Sequence, residues 1–336
     1  MNAELRSLLE RAGVRASARY SDFVVINSDG LLPRPGVLPG EPIINRGFDL
    51  IVLEDGRQRY FGKVRAAVAP HMPHASKVRR ALATLETPYL RVPTATFVPG
   101  ETVSVQLAPF MSGDSLFGHL KDARPAWLTE ELRRILPDLH ALESHAIEML
   151  DLGVDWATPL DLFSAVEAHF ETAVGAAGLA APQLKVLRDV LRAAGSVRPR
   201  PQHGDLWGEN ILLADGRAWL IDFEAYGQVI VPLYDVLHLG HTSLTASEGE
   251  HASGLALLRA SHPLAVVVRG AIAASMERNG ITRTQLDGLL AFYLIRMSTE
   301  LIRRSGGRQV YAEPLLRSLR ELATALAHGE RDLLAL

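Results

Sequence analysis

The hydrophobic pattern of this chain changes from strand-like to helical after about its first third. Before that point, residues 22–26 and 49–53 are β-rich runs bounded by turn residues, and Asp55-Gly56 separates the second run from residues 60–64, as in a tight antiparallel hairpin. After it, leucine and isoleucine recur every three or four residues, as on one face of a helix. The pattern predicts an α+β fold with a small N-terminal antiparallel sheet and a larger, mainly helical C-terminal part.

The boundary between the two parts is predicted where proline and glycine interrupt the pattern, in residues 108–113. We therefore expect an N-terminal lobe of residues 1–107 and a C-terminal lobe of residues 108–336. A helix is predicted over residues 76–85 of the first lobe.

Composition narrows the class of protein. The 336 residues are 48% hydrophobic and carry a formal charge of −3, which gives no electrostatic footprint for nucleic acid or an anionic membrane. No apolar run approaches the roughly twenty residues that span a bilayer, and the N-terminus does not resemble a secretory signal. We therefore expect a cytoplasmic protein without nucleic-acid or membrane partners, and its oligomeric state stays open. The absence of cysteine excludes disulfides, thiolate metal ligands and a cysteine nucleophile.

Two acids and an amide flank a predicted β-hairpin in the C-terminal part. Asp205 and Asn210 precede it, Asp222 follows it, and residues 214–217 form its four-residue connection. Phosphoryl transfer needs a carboxylate that accepts the proton of the attacking hydroxyl, together with oxygen ligands for Mg²⁺. The arrangement predicts Asp205 as the catalytic base, and Asn210 and Asp222 as the metal ligands.

Neighbouring polar residues receive supporting roles. His203 is predicted to hydrogen-bond the loop backbone rather than to transfer protons, and Asp235 to cap a helix or anchor a loop. Glu224 could contact the substrate or hold the loop in place. His140 lies on an apolar helix face, which is typical of a hydrogen-bonded core histidine. His71 and His74 are three residues apart, but the prolines around them predict a loop rather than a metal pair.

The segments around Asp205, Asn210 and Asp222 resemble the catalytic loop and metal motif of the superfamily of aminoglycoside phosphotransferases, choline kinases and fructosamine kinases. The resemblance implies a bilobal, protein-kinase-like fold and transfer of a phosphate from ATP, with Mg²⁺, to a small-molecule hydroxyl. GTP is not excluded as the donor. The acceptor could be an antibiotic, a sugar or an amino alcohol, and antibiotic resistance is one role that the resemblance suggests.

The same resemblance assigns residues to the nucleotide. Lys63 looks like the strand lysine that contacts the ATP phosphates, and Gln106, Leu107 and Ala108 lie where backbone groups of the superfamily bind adenine. Two features depart from the pattern. The predicted helix has no carboxylate in its middle to hold Lys63, and the phosphate-covering turn at residues 45–49 has one glycine. A nucleotide-binding pseudokinase or regulatory module is therefore the alternative function.

Polar residues also recur at helical spacing near the C-terminus. Asp287, Tyr293, Arg296 and Glu300 could line the acceptor pocket or form a solvated helix face. The chain has only 4 Trp and 7 Tyr, so a polar acceptor such as a sugar or an antibiotic is favoured over a quaternary amine in an aromatic cage.

Overall fold

The computed structural model describes residues 3–14, 19–22, 49–54, 59–66, 71–101, 103–119, 125–248, 254–330, 333–334 and 336. The strands of these residues are β1 (Arg19–Asp22), β2 (Asp49–Glu54), β3 (Arg59–Ala66), β4 (Leu90–Arg91), β5 (Thr96–Val98), β6 (Val103–Pro109), β7 (Asp114–Ser115), β8 (Leu160–Asp161), β9 (Ser196–Val197), β10 (Ile211–Ala214) and β11 (Arg217–Leu220). The helices are α1 (Ala3–Arg11), α2 (His71–Leu82), α3 (Pro125–Met149), α4 (Leu162–Ala177), α5 (Ala181–Ala194), α6 (Tyr234–Glu248), α7 (Gly254–Arg259), α8 (Pro263–Asn279), α9 (Arg283–Arg304) and α10 (Glu313–Ala327).

Five strands of the N-terminal part form an antiparallel sheet in the order β1-β2-β3-β6-β5. Leu8 and Leu9 of α1 pack against Val64 of β3 and Val105 of β6, which gives this sheet a small core of its own. The predicted hairpin strands are present as β2 and β3, while the turn Asp55-Gly56 lies outside the described residues. Residues 23–26 of the predicted strand and residues 45–48 of the predicted turn also lie outside the described residues.

A second, four-stranded sheet in the order β4-β11-β10-β7 contains the predicted C-terminal hairpin. The predicted four-residue connection of this hairpin is wrong, because Ala214 and Arg217 pair with each other as strand residues. Asp215 and Gly216 alone form the turn, with φ of 52° and 71°. Positive φ at both positions is typical of the type I′ turn, whose twist matches that of the strands. In addition, β4 joins this sheet by parallel pairing with β11, although it precedes residue 108.

Helix α2 differs from the prediction in its bounds. It runs over residues 71–82 rather than 76–85, so the loop expected around His71 and His74 is wrong. Pro73 lies in the first helical turn, where the backbone N–H that proline lacks would have no partner within the helix. His74 faces the C-terminal part, and its Nε2 lies 2.7 Å from the backbone oxygen of Tyr226.

The rest of the described chain is mainly helical and shares one hydrophobic core, so the predicted α+β architecture is confirmed. Asp287 and Tyr293 of α9 are buried, so a solvated face is wrong for these two residues. Arg296 and Glu300 on the same helix are only partly buried. None of the described helices is long and apolar enough to cross a membrane.

Candidate active site

The loop of residues 203–210 between β9 and β10 is anchored by a buried carboxylate. Asp235 accepts hydrogen bonds from the backbone N–H groups of His203 at 2.5 Å and Gly204 at 3.0 Å. Burial raises the pKa of Asp235 to about 7, although the same two hydrogen bonds act to lower it. Asp235 is in the first turn of α6, so this helix fixes the start of the loop, in agreement with the anchoring role expected for it.

The anchor continues into a buried polar network beneath the loop. The amide oxygen of Gln202 accepts from the backbone N–H of Asp235 at 3.0 Å, and its Nε2 donates to Glu143 at 2.8 Å. His140 is buried beside Glu143, with Nδ1 3.8 Å from the carboxylate. The core location of His140 agrees with expectation, but its ring nitrogens have no hydrogen-bond partner among the described residues.

His203 connects the two halves of the motif. Its Nε2 lies 2.8 Å from the backbone oxygen of Ile221, which can only accept, so Nε2 carries the proton. The ring is fully buried and packs edge-on against Phe223 at 4.9 Å between centroids. Burial lowers the pKa of His203, although this hydrogen bond and nearby carboxylates act to raise it. A buried neutral imidazole that holds the backbone before Asp222 suits structural support better than proton transfer.

Asp205 lies between the loop and the end of α9. Its Oδ1 is 3.3 Å from Nη1 of Arg304, and its side chain is 16% exposed. The backbone oxygen of Asp205 accepts a hydrogen bond from Nδ2 of Asn210 at 2.8 Å. Because the amide nitrogen of Asn210 is used in this way, its amide oxygen is the atom that remains to face a cation. Arg304 was not identified from the sequence.

Asp222 follows β11 in a left-handed backbone conformation with φ 64° and ψ 62°. Residues other than glycine rarely adopt this conformation, and strain of this kind is concentrated at functional sites. The carboxylate is 2.9 Å from Nζ of Lys63, which lies 2.6 Å from Glu224. The three side chains are 11% to 23% exposed. The structure thus brings the N-terminal lysine to the two acids of the C-terminal motif.

The carboxylate that holds Lys63 therefore comes from the turn after β11 and not from α2. Helix α2 instead carries a buried arginine, Arg79, whose Nε donates to the backbone oxygen of Pro93 at 2.9 Å. Burial lowers the pKa of Arg79 to about 10, while the charge of Asp222 acts to raise it. Glu86, the nearest acid in the sequence, lies beyond the end of the helix.

The residues expected to contact adenine do not share one environment. Gln106 is buried and its Nε2 donates to Oγ of Ser76 at 2.8 Å, so its side chain ties β6 to α2. Leu107 lies inside the sheet, paired with Gly62 on one side and Thr96 on the other. Ala108 alone of the three lies beyond the last residue of β6 that pairs with β5.

The side-chain oxygens of Asn210 and Asp222 suit a magnesium ion that is also bound by the phosphates of a nucleotide. Among the described residues, no group of three or more His, Cys, Asp or Glu side chains could hold a metal. Asn210 and Asp222 nevertheless provide an amide oxygen and a carboxylate on either side of the β10–β11 hairpin. Mg²⁺ commonly binds through one or two carboxylates together with substrate phosphates. The residues present therefore fit this ion.

A comparison with known families identifies the chain. Residues 47–266 match the model of the Phosphotransferase enzyme family (APH), which covers more than half of the chain and includes every residue of the candidate active site except Arg304. The chain belongs to this family. The match confirms the superfamily and the enzyme class predicted from the sequence, a phosphotransferase.

Solved structures of low sequence identity share the fold of this phosphotransferase. A candidate aminoglycoside phosphotransferase from Ralstonia eutropha JMP134 is 16% identical, with a TM-score of 0.54, over 96% of this chain and 97% of its own. A thermostable mutant of aminoglycoside phosphotransferase APH(4)-Ia, solved with ADP and hygromycin B, is 14% identical, with a TM-score of 0.52, over 95% and 99%. No curated protein matches the chain.

Proposed function

We propose that this phosphotransferase transfers the γ-phosphate of ATP to a hydroxyl group of a small molecule. The observation that carries the proposal is the contact of Lys63 with Asp222 and Glu224, because it joins the nucleotide-side lysine to the metal motif. Residues 1–107 would then form the nucleotide-binding lobe, and residues 108–336 the catalytic and acceptor-binding lobe. ADP in the APH(4)-Ia structure supports nucleotide use by a protein of similar fold.

Each residue has a role in this reaction. The acceptor hydroxyl would attack the γ-phosphorus while its proton passes to the Asp205 carboxylate, and the bond to the bridging oxygen breaks to release ADP. Lys63 would bind the ATP phosphates, with Glu224 holding the ammonium group in place. Ala108 and the residues after it would offer backbone groups to adenine, whereas Gln106 and Leu107 would support the sheet behind it.

Asn210 and Asp222 would hold magnesium in the proposed site. When bound, the ion would neutralise charge on the transferring phosphate. His203 would keep Asp222 in place through its hydrogen bond to the preceding residue, Ile221. Lys63 now contacts Asp222, so the lysine would share this carboxylate with the metal in the nucleotide complex.

A pseudokinase is the less favoured function. The sequence suggests a pseudokinase because α2 has no carboxylate that could hold Lys63. In the structure, Glu224 in the turn after β11 holds this lysine instead. The proposed acceptor is an antibiotic, a sugar or an amino alcohol, in a cytoplasmic setting. Hygromycin B is bound together with ADP in the APH(4)-Ia structure, so it supports the class and not the identity of the substrate here.

The test is magnesium-dependent ADP release over a panel of aminoglycosides, peptide antibiotics, sugars and amino alcohols. Asp205→Ala should abolish turnover and retain Mg·ATP affinity, since the base does not bind the nucleotide. Asp222→Ala should weaken Mg²⁺-dependent binding as well. A protein that binds ATP yet phosphorylates nothing in the panel would support the pseudokinase, and unchanged turnover in Asp205→Ala would remove this residue from the mechanism.

A further inference from the structure

One side of α9 carries a row of charged residues that ends at Asp205. Arg296, Glu300 and Arg304 follow one another at four-residue intervals, so the row is about 12 Å long. Arg303 lies beside it and pairs with Glu300 at 2.7 Å. The row meets the catalytic loop where Arg304 contacts Asp205 at 3.3 Å. Arg296, Arg303 and Arg304 are called the α9 arginines below.

Arg296 is partly buried and makes no direct ion pair with a carboxylate of the described residues. Its Nη1 lies 3.3 Å from Nε2 of His169 on α4, a group that is not an anion. Its Nε is buried and has no hydrogen-bond partner among the described residues, none of whose carboxylates lies within ion-pair distance. Glu300 acts on Arg296 through its charge at longer range but does not contact it, and a partly buried guanidinium group is better stabilised by a direct anionic partner. An anionic group on a bound molecule would provide such a partner.

The pKa shifts around the row also indicate positive potential. Burial lowers the pKa of His169 and the charge of Arg296 lowers it further, while Glu300 opposes this with an effect smaller than that of Arg296 and larger than the lowering by Arg303. Burial alone would raise the pKa of Glu300, but a hydrogen bond from Arg303 and the charges of all the α9 arginines hold it below its usual value. All three guanidinium groups thus act on Glu300, and one of them, Arg304, also pairs with Asp205.

We infer that the acceptor carries a carboxylate or phosphate group, which the α9 arginines bind while its hydroxyl faces Asp205. This inference rests on the proposed function and narrows its substrate class. The anion would draw Arg304 away from Asp205, so that the carboxylate becomes free to accept the hydroxyl proton only when the acceptor is bound. A polycationic acceptor such as an aminoglycoside would meet like charge along the row.

A matched set of sugars tests the charge preference directly. Glucose, glucuronate and glucosamine share most ring hydroxyls and differ in charge, so their kcat/KM values for ADP release can be compared at one ionic strength. We expect glucuronate to exceed the other two by about tenfold or more, the value of one charge-assisted hydrogen bond. Arg296→Gln should reduce the ratio of glucuronate to glucose about tenfold. The matched control is Arg259→Gln, because Arg259 at the end of α7 is an exposed arginine that pairs with Glu330; this variant should preserve the ratio.

Binding of inorganic sulfate tests the same site without turnover. Calorimetry is performed on protein saturated with Mg²⁺ and AMP-PNP, which occupies the phosphate site near Lys63, and again without nucleotide. We expect Arg296→Gln to weaken sulfate binding about tenfold and Arg259→Gln to leave it unchanged. The inference is overturned if glucosamine reacts as well as glucuronate, or if neither the sugar ratio nor sulfate binding depends on Arg296.

The two proposals fail in different ways. The kinase proposal fails, and the anion site remains, if sulfate binding depends on Arg296 but the protein neither binds Mg·AMP-PNP nor shows Asp205-dependent ADP release. Conversely, the inference of an anionic acceptor fails, and the kinase proposal remains, if a cationic acceptor is phosphorylated in an Asp205-dependent way at the same rate in Arg296→Gln.

Discussion

Glu224 is expected to take the place of the carboxylate that α2 lacks, and Glu224→Gln tests this. The substitution retains the shape of the side chain and removes the charge 2.6 Å from Nζ of Lys63. The two side chains are 11% and 23% exposed, so solvent screens the pair only in part. A hydrogen bond to a charged group contributes about 1.5–3 kcal/mol, which corresponds to roughly a 10- to 100-fold loss of kcat/KM for Mg·ATP.

The assay is ADP release with Mg·ATP varied, together with the dissociation constant for Mg·AMP-PNP. Glu209→Gln is the control, because Glu209 is an exposed carboxylate in the same catalytic loop. A double-mutant cycle with Lys63→Met then isolates the coupling: if Glu224 acts through Lys63, its substitution should have little further effect in the Lys63→Met background. A Glu224→Gln enzyme that matches Glu209→Gln, or effects that simply add in the cycle, would refute the reasoning.

Three further predictions concern the catalytic loop and helix α6, which anchors it and carries His238 and His241. Gly208→Ala should destabilise the protein by about 1–3 kcal/mol in urea unfolding, because a Cβ there would lie 2.1 Å from the ring of Phe117; an unchanged midpoint would contradict this packing. Asp235→Ala should cost about 1–3 kcal/mol for each of the two backbone N–H groups it leaves buried, and should lower turnover, with Asp235→Asn intermediate. Burial lowers the pKa of His238 to about 4 and of His241 to about 3, from 6.5. Below pH 6.5 the unfolded chain binds protons at these two histidines that the folded chain does not, so the free energy of unfolding should fall towards pH 4 by up to about 1.4 kcal/mol per pH unit for each histidine. His241→Gln should make this pH dependence less steep, and an unaltered dependence would contradict a buried neutral His241.

The sequence predicted the local features of the site because each has a short-range physical cause. Asp205, Asn210 and Asp222 flank a hairpin whose alternating strands and Asp-Gly turn are visible in fewer than twenty residues. Even there the strand ends were misjudged, because Ala214 and Arg217 pair only once a type I′ turn closes on two residues. The predicted bounds of α2 are wrong for a similar reason, because a proline is typical of a helix break in the sequence, whereas Pro73 lies in the first turn of the helix.

Partners from distant parts of the chain could not be predicted in this way. Lys63 and Glu224 are separated by 161 positions, and Arg304 and Asp205 by 99. Neither contact follows from periodicity or turn chemistry. The four-residue recurrence of Arg296, Glu300 and Arg304 was a usable signal, but spacing alone does not distinguish a pocket from a solvated face. Helix α1 was missed because nine residues with mixed charge give too short a pattern.

Lys63 is held by acids of the turn after β11 and not by a helix glutamate, which changes what must be in place for the nucleotide site to form. In protein kinases, a lysine paired with a helix glutamate must be in place for activity, so movement of that helix can control the enzyme. Here the lysine is held by Asp222 and Glu224, whereas α2 offers it no carboxylate and contacts Gln106 and the backbone oxygen of Tyr226, at the end of the same turn as Glu224. Displacement of α2 would therefore act on the ammonium group through the turn after β11 and not through a helix carboxylate. Assembly of the nucleotide site should instead depend on the turn after β11, where the left-handed backbone of Asp222 already stores strain and where the metal would bind.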